Sequence, residues 1–126
     1  MWTRIALLIG AFYGMTGVAL GAMGAHALKS KLSERFMNAY LTGTKYQLMH
    51  ALLLIMLGIL VAQYPSKWMT SAIICTALGV LLFSGSLYAL TLLEWKVGII
   101  TPIGGVFLIV GWFSLLVAAF QIGQGS

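Results

Sequence analysis

IALLIGAFYGMTGVALGAMGAHAL, residues 5–28, decides the fold of this chain. It holds no Lys, Arg, Asp or Glu, and it exceeds the roughly 20 apolar residues that a helix needs to cross a bilayer. Its glycines, Gly10, Gly14, Gly17, Gly21 and Gly24, recur at alternating spacings of four and three. On a helix that rhythm predicts one stripe without side chains. Lipid tails are as apolar as leucine, so helices in a membrane associate through close backbone approach along such stripes. The stretch therefore predicts a spanning helix with a small-residue seam for a partner.

The rest of the composition agrees. Of 126 residues, 61% are hydrophobic and 7% charged, whereas a soluble domain carries about 25% charged residues. A water-facing fold of this size could not bury so much apolar surface. The expectation is an all-α integral membrane four-helix bundle, up-down in topology, forming a single transmembrane domain over 1–126. Its first partner is the lipid bilayer, and a homo-oligomer is a further expectation. Seven basic and two acidic residues give a net charge of +5. They fall in short connections, so they read as topology and headgroup signals and not as a nucleic-acid surface. Cys75 stands alone mid-span and predicts neither a disulfide nor a metal site. Ala25-His26-Ala27 imitates a signal-peptidase site, but the uncharged run is too long for a signal peptide.

Four stretches qualify as spans: about 5–28, 44–64, 68–92 and 102–121. Each must be helical, because lipid leaves no partner for free backbone groups. Ser33 predicts an N-cap for a helix that starts before the second span and bends at Gly43. Thr101-Pro102 predicts an N-cap followed by proline at the first helical position. Trp2, Tyr64 and Trp68 predict an aromatic belt on one face. Lys29, Lys31, Arg35, Lys45 and Lys96 on one side outweigh Arg4 and Lys67 on the other. That bias predicts the first and third connections in the cytoplasm and both termini outside.

Up-down order brings four helix ends to one membrane half, and the unusual residues gather there. The candidate polar cluster is His26, Tyr46, Gln47, His50, Ser84, Ser86, Tyr88 and Thr101. Tyr46 with His50, and Ser84 with Tyr88, are four apart, so each pair shares a helix face. Polar faces turned to lipid are costly, so both pairs should face inward. The cluster should converge under the Lys29–Gly43 segment and Trp95. Interhelical hydrogen bonding is one use of it. A lipid, quinone or metal site is another. Two histidines without carboxylates or thiolates are too few for a dedicated zinc site. Catalysis is disfavoured as well: there is no G-x-S-x-G turn and no carboxylate within a span to orient a histidine. No catalytic residue and no metal ligand is assigned, and the cofactor is left unknown.

Four motifs in order carry a family resemblance: Gly21-Ala22-Met23-Gly24-Ala25-His26-Ala27-Leu28, Tyr46-Gln47-Leu48-Met49-His50-Ala51-Leu52, Phe83-Ser84-Gly85-Ser86-Leu87-Tyr88 and Thr101-Pro102-Ile103-Gly104-Gly105. Together they resemble the domain-of-unknown-function 423 family of small four-span bacterial membrane proteins. Met23 stands where that family leads one to expect an aromatic. The resemblance implies a multi-pass protein of the cell (inner) membrane and supplies no reaction or ligand. The functional expectation is a non-enzymatic protein supporting membrane assembly or envelope integrity. The alternative is a small-molecule (lipid, quinone or metal) binder or transporter using the polar cluster.

Overall fold

The computed structural model describes residues 1–124; residues 125 and 126 of the expected domain lie outside the described residues. Four helices follow one another: α1 (Trp2–His26), α2 (Glu34–Gln63), α3 (Lys67–Leu92) and α4 (Ile100–Gln121). All four are long and apolar enough to cross a membrane, and the fold is an all-α membrane bundle.

Local chemistry sets most of the ends. The Ser33 hydroxyl accepts from the Phe36 N–H at 3.2 Å and caps α2, as expected. Ser66 does the same for α3 through Met69. At the start of α4 the expectation fails. Thr101 is already inside the helix, which begins at Ile100 with Ile99 before it, and its hydroxyl is engaged by Ser86. Pro102 still lies in the first turn, where a missing N–H leaves no helical bond unmade. α2 runs unbroken through Gly43, and that glycine admits the Tyr88 ring: a Cβ there would sit 3.0 Å from Tyr88 Cε1.

Each helix packs on the next in sequence. α1 also touches α3 briefly, while α4 makes no close backbone approach to α1 or α2 among the described residues. α2 and α3 are thus the inner pair. One apolar core lies toward the α2–α3 turn, where Ala6, Leu54, Leu57, Met69, Ile73 and Ala118 draw on all four helices. Trp2 packs against it. Tyr64 and Trp68 are exposed near that turn, and Trp68 meets Phe113 of α4 edge-on. The outward faces of α1 and α4 are apolar and exposed, with Leu8, Phe12, Val18, Ile109, Phe113 and Phe120 open to lipid.

The α1 glycines divide. A Cβ on Gly10 would lie 3.1 Å from the Ala51 carbonyl oxygen, one on Gly17 2.8 Å from Leu48 Cδ2, and one on Gly24 2.6 Å from Tyr40 Cε1. Gly14 makes only ordinary contact, and nothing lies within 4 Å at Gly21. The antiparallel register explains the gap. Gly10 sits beside Leu54, Gly17 beside Gln47 and Gly24 beside Tyr40, so Gly21 comes level with Gly43, which offers no side chain to meet it. The close seam on α2 is therefore Gly10, Gly17 and Gly24. Tyr40 is fully buried, and its hydroxyl donates to the Leu20 carbonyl, so the ring has no room to swing away. Gly24→Ala is expected to lower stability in detergent by about 2 kcal/mol through overpacking. Gly21→Ala should be neutral or slightly stabilising through helix propensity. Equal melting temperatures for the two variants would remove the seam from the account of stability.

Candidate polar site

Gln47 organises one half of the polar chemistry. α2 places it facing both α1 and α3, 4% exposed. Its Nε2 donates to the Tyr13 carbonyl at 2.9 Å and to Thr16 Oγ1 at 2.7 Å, both on α1. Its Oε1 accepts from the Tyr88 hydroxyl of α3 at 2.6 Å. One amide therefore ties three helices. Beside it, Ser84 Oγ donates to the Gly43 carbonyl at 2.7 Å, a second bond between α2 and α3. Tyr88 packs its ring against Tyr40 at 5.5 Å between centroids. The Tyr13 hydroxyl donates to the Ala77 carbonyl at 2.8 Å, joining α1 to α3 directly. Between α1 and α3, over Gln47, lies a crevice of about 180 Å³ lined by Tyr13, Thr16, Ser84 and Tyr88 among others.

His50, one turn along α2, reaches the opposite neighbour. Trp112 Nε1 of α4 donates to His50 Nε2 at 3.0 Å. An indole N–H can only donate, so Nε2 carries the lone pair and the proton sits on Nδ1. Nδ1 lies 2.8 Å from the Tyr46 carbonyl, an acceptor, which fits the same tautomer. His50 is thus held as a neutral imidazole with both nitrogens engaged. The Tyr46 ring stacks on the imidazole and tilts against Phe83 while remaining partly exposed. The Ser86 and Thr101 hydroxyls are hydrogen-bonded at 2.5 Å and join α3 to α4 at the end of the membrane nearest the third connection.

The expected cluster is therefore brought together in parts. Gln47, Ser84 and Tyr88 form one network, His50 and Tyr46 a second toward α4, and Ser86 with Thr101 a third. His26 joins none of them: it is exposed at the last turn of α1. α1 turns its Gly24 face to Tyr40, and two residues on, His26 lies on another side of the helix. Trp95 is 58% exposed and takes no part in these networks; Tyr40 and Gly43 are the groups that pack on Tyr88. The opposite membrane half, expected to be plain, has its own bond: Ser71 and Ser114 lie 3.0 Å apart between α3 and α4.

The family described as protein of unknown function (DUF423) matches residues 20–105, more than half of the chain, including Tyr40, Gln47, His50, Ser84, Tyr88 and Thr101. The chain belongs to that family. Its relatives bear this out along their whole length. The UPF0382 membrane protein SAB0533 of Staphylococcus aureus is 38% identical over 121 residues, covering 94% of this chain and 97% of that protein. The UPF0382 inner membrane protein YgdD of Escherichia coli is 37% identical over 123 residues, covering 97% and 94%. No solved structure matches the chain.

In this DUF423 chain the partners that sequence reasoning missed are Tyr13, Thr16, Tyr40 and Trp112. Trp112 had a readable signal. A tryptophan in mid-span, away from the membrane interfaces, still needs an acceptor for its N–H, and His50 is at hand. Tyr13 and Thr16 lie in the glycine-rich stretch, where the glycines drew the eye to packing. Tyr40 precedes the expected second span, so nothing in its position marked it as buried.

Proposed function

We propose that the protein acts without catalysis, as a structural protein of the cell (inner) membrane that supports membrane assembly or envelope integrity. One observation carries this reading: Gln47, His50, Ser84 and Tyr88 are all engaged in hydrogen bonds across helices. Gln47 has its amide divided between α1 and α3. A general base needs a free lone pair aimed at a substrate, and the lone pair of His50 is taken by Trp112. Intramembrane hydrogen bonds of this kind fix helix register. The broad apolar faces of α1 and α4 are suited to lipid or to other membrane helices. The inner-membrane designation of the Escherichia coli relative supports the location.

The test is complementation. A strain lacking the protein should become sensitive to detergent and to osmotic downshift. The pair His50→Phe and Trp112→Phe removes both bonding partners, keeps aromatic packing and leaves no orphaned group. At wild-type abundance that double variant should restore resistance fully. A double variant that accumulates normally yet fails to complement would assign His50 a chemical role. A deletion with an intact envelope would end the integrity reading.

A further inference from the structure

At the interface of α2 and α3 lies a cavity separate from the polar networks. It has a volume of about 410 Å³ and is lined by Lys31, Leu32, Ser33, Phe36, Thr91, Leu92 and Glu94. That size falls within the range of small-molecule sites, about 300–1,000 Å³. Its two sides differ in sign. On one side stand Lys31 and the N-terminal turn of α2. Ser33 Oγ accepts from the Phe36 N–H, so its own proton has no acceptor among the described residues. That side offers donors. On the other side stand Glu94 and the carbonyl end of α3. Thr91 Oγ1 gives its proton to the Leu87 carbonyl at 2.8 Å and can act further only as an acceptor. That side offers acceptors. The helix dipoles reinforce the difference, since α2 presents its positive end here and α3 its negative end.

Lys31 and Glu94 form no ion pair, with each other or with any described residue. Glu94 also has φ 55°, the left-handed region that non-glycine residues enter at a cost. This conformation turns the chain so that the Trp95 N–H joins the Leu93 N–H on the Ala89 carbonyl. Glu94 lines the cavity. A cation and an anion facing one cavity without pairing match a ligand that carries both charges. Leu32, Phe36 and Leu92 add an apolar flank suited to the glycerol and first methylenes of a lipid.

We propose that this cavity binds the phosphoethanolamine headgroup of a phospholipid, with phosphate toward Lys31 and Ser33 and ammonium toward Glu94 and Thr91. The inference goes beyond the structural reading of the polar networks and does not depend on it.

The test uses the full chain in mild detergent, titrated with short-chain phosphatidylethanolamine or phosphatidylglycerol and read by native mass spectrometry and thermal shift. Phosphatidylethanolamine should bind more tightly, since phosphatidylglycerol has no ammonium. Glu94→Gln should weaken phosphatidylethanolamine by about fivefold and leave phosphatidylglycerol unchanged. Lys31→Gln should weaken both. Glu94→Gly separates binding from folding: it relieves the left-handed backbone and should raise the unliganded melting temperature while losing the preference. Equal binding of the two lipids to the wild type, or a preference that survives both Glu94 variants, overturns the proposal. Soluble glycerophosphoethanolamine binding as tightly as the lipid would overturn the lipid assignment in favour of a free zwitterion.

Discussion

Gly104→Ala is expected to be among the most damaging single-methyl changes in the chain. A Cβ at Gly104 would run into the backbone nitrogen of Phe83 and come within 2.7 Å of Phe83 Cα and 2.8 Å of the Leu82 carbonyl carbon. These are backbone atoms of α3, so no rotamer change can relieve the clash. The helices must separate, and the shift passes to Gly79, where Leu108 packs, and to Gly111, where Thr76 packs. Overpacking of a well-filled interior costs about 1–3 kcal/mol, and a backbone clash belongs at the upper end. The neighbouring position is the control. At Gly105 a Cβ meets only ordinary contact, with Phe83 Cδ1 at 3.8 Å. Gly105→Ala should therefore gain up to about 1 kcal/mol from helix propensity. Unfolding of the two variants in detergent should move in opposite directions. Matching losses at both positions would mean that α4 tolerates displacement and that its contact with α3 is not close-packed.

The second large effect belongs to Gln47. Gln47→Leu removes an acceptor for the Tyr88 hydroxyl and two donors to α1 in one step. Paired hydrogen bonds in membranes average only about 0.6 kcal/mol. Leaving a buried group without its partner costs about 1–3 kcal/mol. A loss of about 2 kcal/mol is therefore expected, larger than for Tyr88→Phe, which strands only an amide oxygen. Combining the two changes should cost less than their sum, because the double variant leaves no orphaned hydroxyl at Tyr88. Strict additivity would show that the two side chains are not coupled.

The number and order of helices were legible in the sequence because lipid imposes a simple length rule, and four long apolar runs satisfied it. Ser33 was legible as a cap because its hydroxyl chemistry is local. The closest packing was not. Alternating glycines in α1 gave a visible rhythm, yet the nearest helix approach lies between α3 and α4 at Gly79, Gly104 and Gly111. Those glycines are scattered over two helices, and their joint effect exists only once the register is fixed. Gln47 and His50 were both flagged, but three residues apart on one helix they serve different neighbours, and only tertiary placement decides that. Thr101 misled because a cap motif by sequence became an interhelical hydroxyl pair in space. His26 misled because a membrane half is shared by residues that still point in different directions around a helix.

The pairing of each helix with its successor has a kinetic side. α1 lies on α2 and α3 on α4, each partner arriving next from the ribosome, with only the turn around Pro65 between the two hairpins. Contact order is accordingly low, and little loop-closure entropy opposes either hairpin. The glycine seams fall within the hairpins, and the Gln47–Tyr88 and Ser84–Gly43 bonds fall between them. Shape-matched packing thus belongs to the step that is local in the chain. The Gln47–Tyr88, Ser84–Gly43 and His50–Trp112 bonds belong to the docking of two finished pieces, where register has still to be chosen.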